Sequence, residues 1–141
     1  MVLYAESSAV LAWLHGERQG RTVRSILRQA SVVIASELTL IECDRVLIRG
    51  VALNEISEKH ASSRRARLQA AAAHWNVLRI APEITARARR PFPIEPIRTL
   101  DALHLASAAL AASASDEFAI LTLDRRVRDN AIQLGLAVRP K

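Results

Sequence analysis

Four short runs rich in β-branched and other apolar residues are separated by longer helical patterns, and this alternation limits the fold more than any other feature of the chain. Val2-Leu3-Tyr4-Ala5, Ser31-Val32-Val33-Ile34-Ala35, Val77-Leu78-Arg79-Ile80 and Phe118-Ala119-Ile120-Leu121-Thr122-Leu123 each have the length and composition of a buried strand. Leu136-Ala137-Val138 reads as an edge strand. No two runs are joined by a hairpin signal, so the chain is built from βα units. Such units give a parallel sheet covered by helices on both faces. The predicted class is α/β, a single three-layer domain spanning residues 1–141, a length that supplies one core.

The helical segments follow from their caps and breakers. Ser7-Ser8 is a capping signal ahead of Ala9 to Leu14, which Gly16 ends. Val23, Ile26 and Leu27 share one face of a second helix. A third is predicted over Glu37 to Arg49, stopped by Gly50, and a long one from Asn54 to about His74. Pro82 suits a first helical turn, and the helix behind it runs to about Arg90. Pro91-Phe92-Pro93-Ile94-Glu95-Pro96 reads as an exposed loop. Thr99 caps a helix over Leu100 to Ala112, and the last runs from Arg125 to about Leu134, where Gly135 breaks it.

Composition removes several function classes. The longest stretch free of acids, Lys and Arg lies between Asp101 and Asp116, well short of the roughly 20 apolar residues a bilayer span needs. The N-terminus lacks the basic start and long apolar stretch of a secretory signal. With one cysteine, Cys43, there is neither an internal disulfide nor a cysteine-built zinc site. The expectation is a cytoplasmic protein with no membrane partner. Four glycines contain no phosphate-cradling loop, which sets aside NTPases and dinucleotide enzymes. Basic residues outnumber acidic ones by twenty to fourteen, and only Lys59 and Lys141 are not arginine. Arginine forks onto phosphate and stacks on bases, so the excess suits an anionic polymer, although a GC-rich genome also writes Arg for Lys.

Ligands of an open parallel sheet bind beyond the carboxyl ends of its strands. Glu6 follows the first predicted strand and Asp124 the fourth. Asp101 falls in the first turn of a helix, and Glu42 sits between Ile41 and Cys43, with Leu38 and Val46 a turn away on its own face. A glutamate on such a face is costly unless paired or bound to a cation. Taken singly, each acid also has a plainer reading: Asp101 as a cap, Glu6 and Asp124 as loop residues, Glu42 as a partner of Arg45. Together they outline one crevice, where several carboxylates cannot stay ionised without a cation. All-oxygen donors select a hard ion, Mg²⁺ or Mn²⁺.

Tyr4-Ala5-Glu6-Ser7-Ser8-Ala9 resembles the opening motif of PIN domains, and the helix holding Glu42 resembles their second. Leu100-Asp101-Ala102-Leu103-His104-Leu105-Ala106 is similar to the third, and Leu121-Thr122-Leu123-Asp124 with Arg125 to the fourth. Order, spacing and length resemble the small VapC-type toxins of bacterial toxin–antitoxin pairs. That resemblance implies a PIN fold, a metal-dependent endoribonuclease acting on RNA, homodimerisation and neutralisation by a cognate antitoxin. It makes Glu6, Glu42, Asp101 and Asp124 the catalytic acids and ligands of Mg²⁺ or Mn²⁺, with Ser8 and Thr122 as supporting hydroxyls. One position departs from the pattern. Glu6 stands where the family usually has aspartate, which leaves open a second reading, a catalytically weakened module that binds RNA and metal.

Apart from these four acids, the remaining twenty basic and ten acidic residues leave +10 to surround an RNA site. Arg64, Arg65, Arg67, Arg87, Arg89, Arg90 and Arg98 are the candidate backbone contacts, each also readable as part of a solvated face. His104 reads either as a phosphate contact or as a hydrogen-bonded packing residue. Trp13 and Trp75 read as core or dimer contacts, Phe92 as a base-stacking candidate and Cys43 as a small buried hydrophobe. A phosphoacceptor receiver domain would share the strand-end acids, but it needs a lysine after a late strand and none is so placed.

Overall fold

The computed structural model describes every residue from Met1 to Lys141. Its centre is a five-stranded, wholly parallel sheet in the order β3-β2-β1-β4-β5. The strands are β1 (Val2–Ala5), β2 (Val32–Ser36), β3 (Asn76–Leu78), β4 (Phe118–Leu121) and β5 (Ala137–Arg139). The helices between them are α1 (Ser7–Leu14), α2 (Gly20–Gln29), α3 (Glu37–Ala52), α4 (Glu58–Ala72), α5 (Pro82–Ala88), α6 (Thr99–Ala112) and α7 (Arg125–Gln133). None is long and apolar enough to cross a membrane.

Successive strand residues point to opposite faces, and the central strands divide the core accordingly. Tyr4 and Ile120 pack with Ile84 of α5, Leu105 and Ala108 of α6 and Val127 of α7. Leu3, Ala119 and Leu121 face the other way, onto Ala9 and Val23 of α1 and α2. Ala5 and Val33 join Val10, Leu14, Cys43 and Leu68 beneath α1, α3 and α4. Both faces of the sheet are therefore covered, as the unbroken apolar runs require.

Three local readings are corrected by tertiary contacts. Gly50 does not stop α3, because Ile56 folds back over it and the helix runs on to Ala52. Asn54 does not open α4 but takes a positive φ of 56° in the turn, and the Ser57 hydroxyl caps α4 instead. Phe92 is not exposed. It is 5 % accessible, packs in the core beside α5 and α6, and carries the Arg87 guanidinium 3.9 Å above its ring. The Pro-rich segment is held down by its own chemistry: Glu95 accepts from the amides of Phe92 and Ile97, and Asn130 exchanges two hydrogen bonds with Ile94.

The strand order fixes where a site can form. From β1 the chain moves outward through β2 to β3, then returns to place β4 on the other side of β1. Connections leave β1 and β4 in opposite directions, opening a crevice at their carboxyl ends. Glu6 and Asp124 lie there.

Candidate active site

Glu6 is the N-cap of α1, with extended backbone and its carboxylate accepting from the Ser8 amide at 3.1 Å. Asp124 occupies the same position on α7, accepting from the Val127 amide at 3.1 Å. Both carboxylates sit at helix N-termini, where the helix dipole favours negative charge. Thr122 and Ser8 lie between them. Each hydroxyl touches Glu6, and each takes the Asp124 amide at 3.1 Å. The serines predicted as the cap of α1 are therefore its first two residues, and the capping group is the acid before them.

Glu42 reaches the same crevice from α3. It is half-buried: Leu38 is buried beside it but Val46 is exposed, so Glu42 stands at the edge of the apolar face rather than within it. Its partner is His104 rather than Arg45. The imidazole Nε2 lies 2.5 Å from Glu42 Oε1, and Nδ1 lies 2.9 Å from the Tyr4 hydroxyl. Ser7 Oγ stands 2.8 Å from Glu6 and 3.0 Å from Glu42, linking the two acids. Burial raises the Tyr4 phenol well above its ordinary pKa, and the negative charges of Glu6 and Glu42 push the same way. Burial and the adjacent Glu42 push the Cys43 thiol up to about 12, so it stays protonated and unreactive, as expected of a small buried hydrophobe.

Asp101, 5 % accessible, enters from the first turn of α6. The helix begins one residue earlier than the Thr99 cap suggests, with Arg98 at the N-cap and its amide donating to Asp101 Oδ2 at 3.1 Å. The Arg98 guanidinium, two-thirds exposed, bridges Asp101 and Asp124 at 3.3 Å each. The hydrogen bond to Asp101 holds that guanidinium further into its charged form, helped by the charges of Asp101, Asp124 and Glu42. The crevice continues past Asp124 into a cleft of about 380 Å³ between the Pro-rich segment and α7. Ile94, Pro96 and Ile97 line one wall, and Arg125, Arg126 and Asp129 the other.

All four predicted acids, with Ser8 and Thr122, thus come to one end of the sheet. Of the predicted arginines, Arg98 is the one that pairs with these acids. Arg64 contacts His15 at 2.5 Å, Arg67 donates to the Leu14 carbonyl at 2.8 Å, and Arg65 faces Asp44 at 3.8 Å. Those contacts place Arg64 and Arg67 at the far end of α1. Arg87 covers Phe92 and donates to the carbonyls of Arg90 and Pro91, while Arg89 and Arg90 are exposed. Trp13 and Trp75 are half-buried beside the Val10 and Leu14 cluster. Two participants were not assigned from sequence: Ser7, and His104 as the partner of Glu42. The signal for His104 was its position one turn after Asp101, on the same helical face.

The donors suit a hard divalent cation. They are carboxylate oxygens, and Glu42 Oε2 and Asp101 Oδ1 accept nothing from the protein, whereas a guanidinium already bridges Asp101 and Asp124 as a cation between acids. As the side chains stand, no three of them converge on one point that could hold an ion. For Asp101 and Asp124 to hold a metal together, the exposed Arg98 side chain would have to leave them.

The comparisons with known proteins agree with this architecture. The PIN domain family matches residues 3–133. Ribonuclease VapC46 of Mycobacterium tuberculosis is 33 % identical over 136 residues, covering 96 % of this chain and 95 % of that protein. Among solved structures, VapBC2 from Rickettsia felis, bound to a DNA fragment from its promoter, superposes with a TM-score of 0.65 at 8 % identity over 99 % of this chain and 98 % of that one. A toxin–antitoxin complex from Klebsiella pneumoniae gives 0.64 at 16 % identity, covering 100 % and 98 %. VapC20 of Mycobacterium tuberculosis, a Sarcin-Ricin loop cleaving toxin, gives 0.63 at 14 % identity, covering 90 % and 93 %.

Proposed function

Since this chain belongs to the PIN domain family, we propose that it is an endoribonuclease, the toxin of a toxin–antitoxin pair, that hydrolyses RNA with Mg²⁺ or Mn²⁺ held by its crevice carboxylates. The observation that carries the reading is that Glu42 of α3, Asp101 of α6 and Asp124, the N-cap of α7, all come to the carboxyl end of the sheet where the strand order opens a crevice, with Arg98 between the last two. A carboxylate cluster alone would repel RNA. Here an exposed guanidinium bridges two of the acids, and the chain outside them is strongly basic.

Glu42 Oε2 and Asp101 Oδ1 offer open lone pairs, and Asp124 adds a third carboxylate once Arg98 leaves it. Bound there, the ion supplies a more acidic water and screens the charge that builds on the phosphoryl group. The protein does the rest. His104 fixes the Glu42 carboxylate, the α7 N-terminus fixes Asp124, and Arg98 turns from the acids to the phosphate, where its fork suits two oxygens. The cleft beside Asp124 gives the strand an apolar wall and two arginines on the flank of the cut. The partners on this reading are an RNA substrate, a cognate antitoxin and a second copy of the chain.

The test is cleavage of a labelled RNA by purified protein with Mn²⁺ or with EDTA at matched ionic strength. Cleavage only with the metal, reduced at least a hundredfold by Asp124→Asn, is the expected result; the replacement amide still caps α7 and leaves the fold intact. Metal-independent cleavage contradicts the reading, and so does full activity in the variant. A gel shift without cleavage under any condition points to the weakened binding module instead.

A further inference from the structure

Resting on the nuclease reading above, the geometry sets Glu6 apart from the other three acids. It is 4 % accessible, and the protein fills both of its oxygens. Oε1 takes the Ser8 amide at 3.1 Å and the Ser7 hydroxyl, whose single hydrogen goes to Glu6 at 2.8 Å as the nearer of its two carboxylates, Glu42 Oε1 at 3.0 Å being served by His104. Oε2 takes the Thr122 hydroxyl at 2.7 Å and that of Ser8. A carboxylate has about four acceptor sites, so no lone pair is left for another ligand.

Proton counting fixes the direction of these bonds. Ser8 Oγ accepts the amide hydrogens of Leu123 at 2.9 Å and Asp124 at 3.1 Å, so its own hydrogen goes to Glu6. Thr122 Oγ1 shares that Asp124 amide hydrogen at 3.1 Å in a three-centre bond and gives its own hydrogen to Glu6. A buried anion thus orients two hydroxyls, and the hydroxyls hold the backbone that presents Asp124. An ion approaching Glu6 would have to displace one of these donors and strand the amides behind it. Glu42 and Asp101 face no such obstacle, since each keeps an oxygen free of protein donors. The sole buried side-chain oxygen without a partner belongs to Asp44, so these two oxygens face solvent rather than core.

We infer that Glu6 is a positioning residue rather than a metal ligand: through Ser8 and Thr122 it holds Asp124 in place, and the ion is carried by Glu42, Asp101 and Asp124. The extra methylene of glutamate over aspartate spans the gap from the end of β1 to Thr122 behind β4.

Two measurements test this. In crystals of the wild-type protein soaked with MnCl₂, the ion is expected within about 2.2 Å of oxygens from the other three acids, with none from Glu6. An ion bound to Glu6 overturns the inference and leaves the nuclease reading standing; no bound ion overturns the metal reading, while the next measurement still decides Glu6. That measurement is thermal unfolding and RNA cleavage, with the unfolding done in EDTA. An anchor predicts that Glu6→Gln lowers Tm by about 4 °C or more, because four donors lose an anionic acceptor. A ligand crowded among like charges predicts a Tm unchanged or raised, which overturns the inference. Thr122→Val is expected to lower kcat roughly tenfold or more at unchanged KM, with Thr122→Ser restoring it. An unchanged kcat in Thr122→Val also overturns the inference, and this arm stands if Glu6→Gln fails to fold.

Discussion

His104 is 1 % accessible and lies between two groups that can settle its hydrogens. Glu42, ionised, can only accept, so Nε2 carries the hydrogen at that 2.5 Å contact, and the Tyr4 hydroxyl, kept protonated by burial, can donate to Nδ1. The imidazole thereby fixes one oxygen of Glu42 and leaves the other facing the crevice. Removing it in His104→Ala leaves a buried phenol and a carboxylate short of partners, an expected loss of about 2–3 kcal/mol in urea unfolding. Cleavage should fall as well, by roughly tenfold, and His104→Gln, which keeps a donor near the Nε2 position, should recover part of both. Equal activity in the wild type and the alanine variant would detach His104 from the site. Of the two readings open from sequence, the hydrogen-bonded packing residue is the one the structure bears out; its partner Glu42 was not legible, because spacing one turn after an acid says nothing of what lies across the crevice.

The carboxyl end of α1 shows the same point for an element. His15 caps that end with its amide, and its ring meets Arg64, while Arg67 donates to the Leu14 carbonyl. Three arginines close together on α4 read in sequence as a basic face for RNA, yet two of them close off a neighbouring helix. Spacing along a helix gives the face and not the neighbour. Burial and the Arg64 charge hold the His15 pKa below its ordinary value, with Glu17 opposing them. The unfolded chain therefore binds a proton that the folded chain refuses. The sign follows: this contribution favours folding above about pH 6.5, the ordinary histidine value, and is lost as pH falls below it. Urea unfolding at pH 7.5 and 5.5 should show the wild type losing more stability on acidification than His15→Gln; equal losses would contradict it. Element boundaries failed for a related reason. Gly50 and Asn54 are local breaker signals, whereas in the structure Ile56 lies close over Gly50 across the turn and Ser57 supplies the cap of α4. The strands were legible because their β-branched runs had no other buried structure to form.

At the scale of the whole molecule, the site follows from the strand order. β1 and β4 lie side by side although more than a hundred residues separate them, and whatever follows each strand must meet the other. That is why Glu6 and Asp124 could be paired from sequence, and why Asp101 and Glu42, on helices packed over the same end, could be added. The cations could not be placed this way. Arg98 was one of seven candidates, and only the turn ahead of α6 puts it between two acids. The prediction that belongs to this scale concerns what the whole chain does to RNA. The most direct measurement maps newly formed RNA 5′ ends in cells after brief induction of the wild-type chain and of Asp101→Asn. The account predicts discrete new ends with the wild type that disappear in the variant; the same ends in both, or none above the uninduced control, would contradict it.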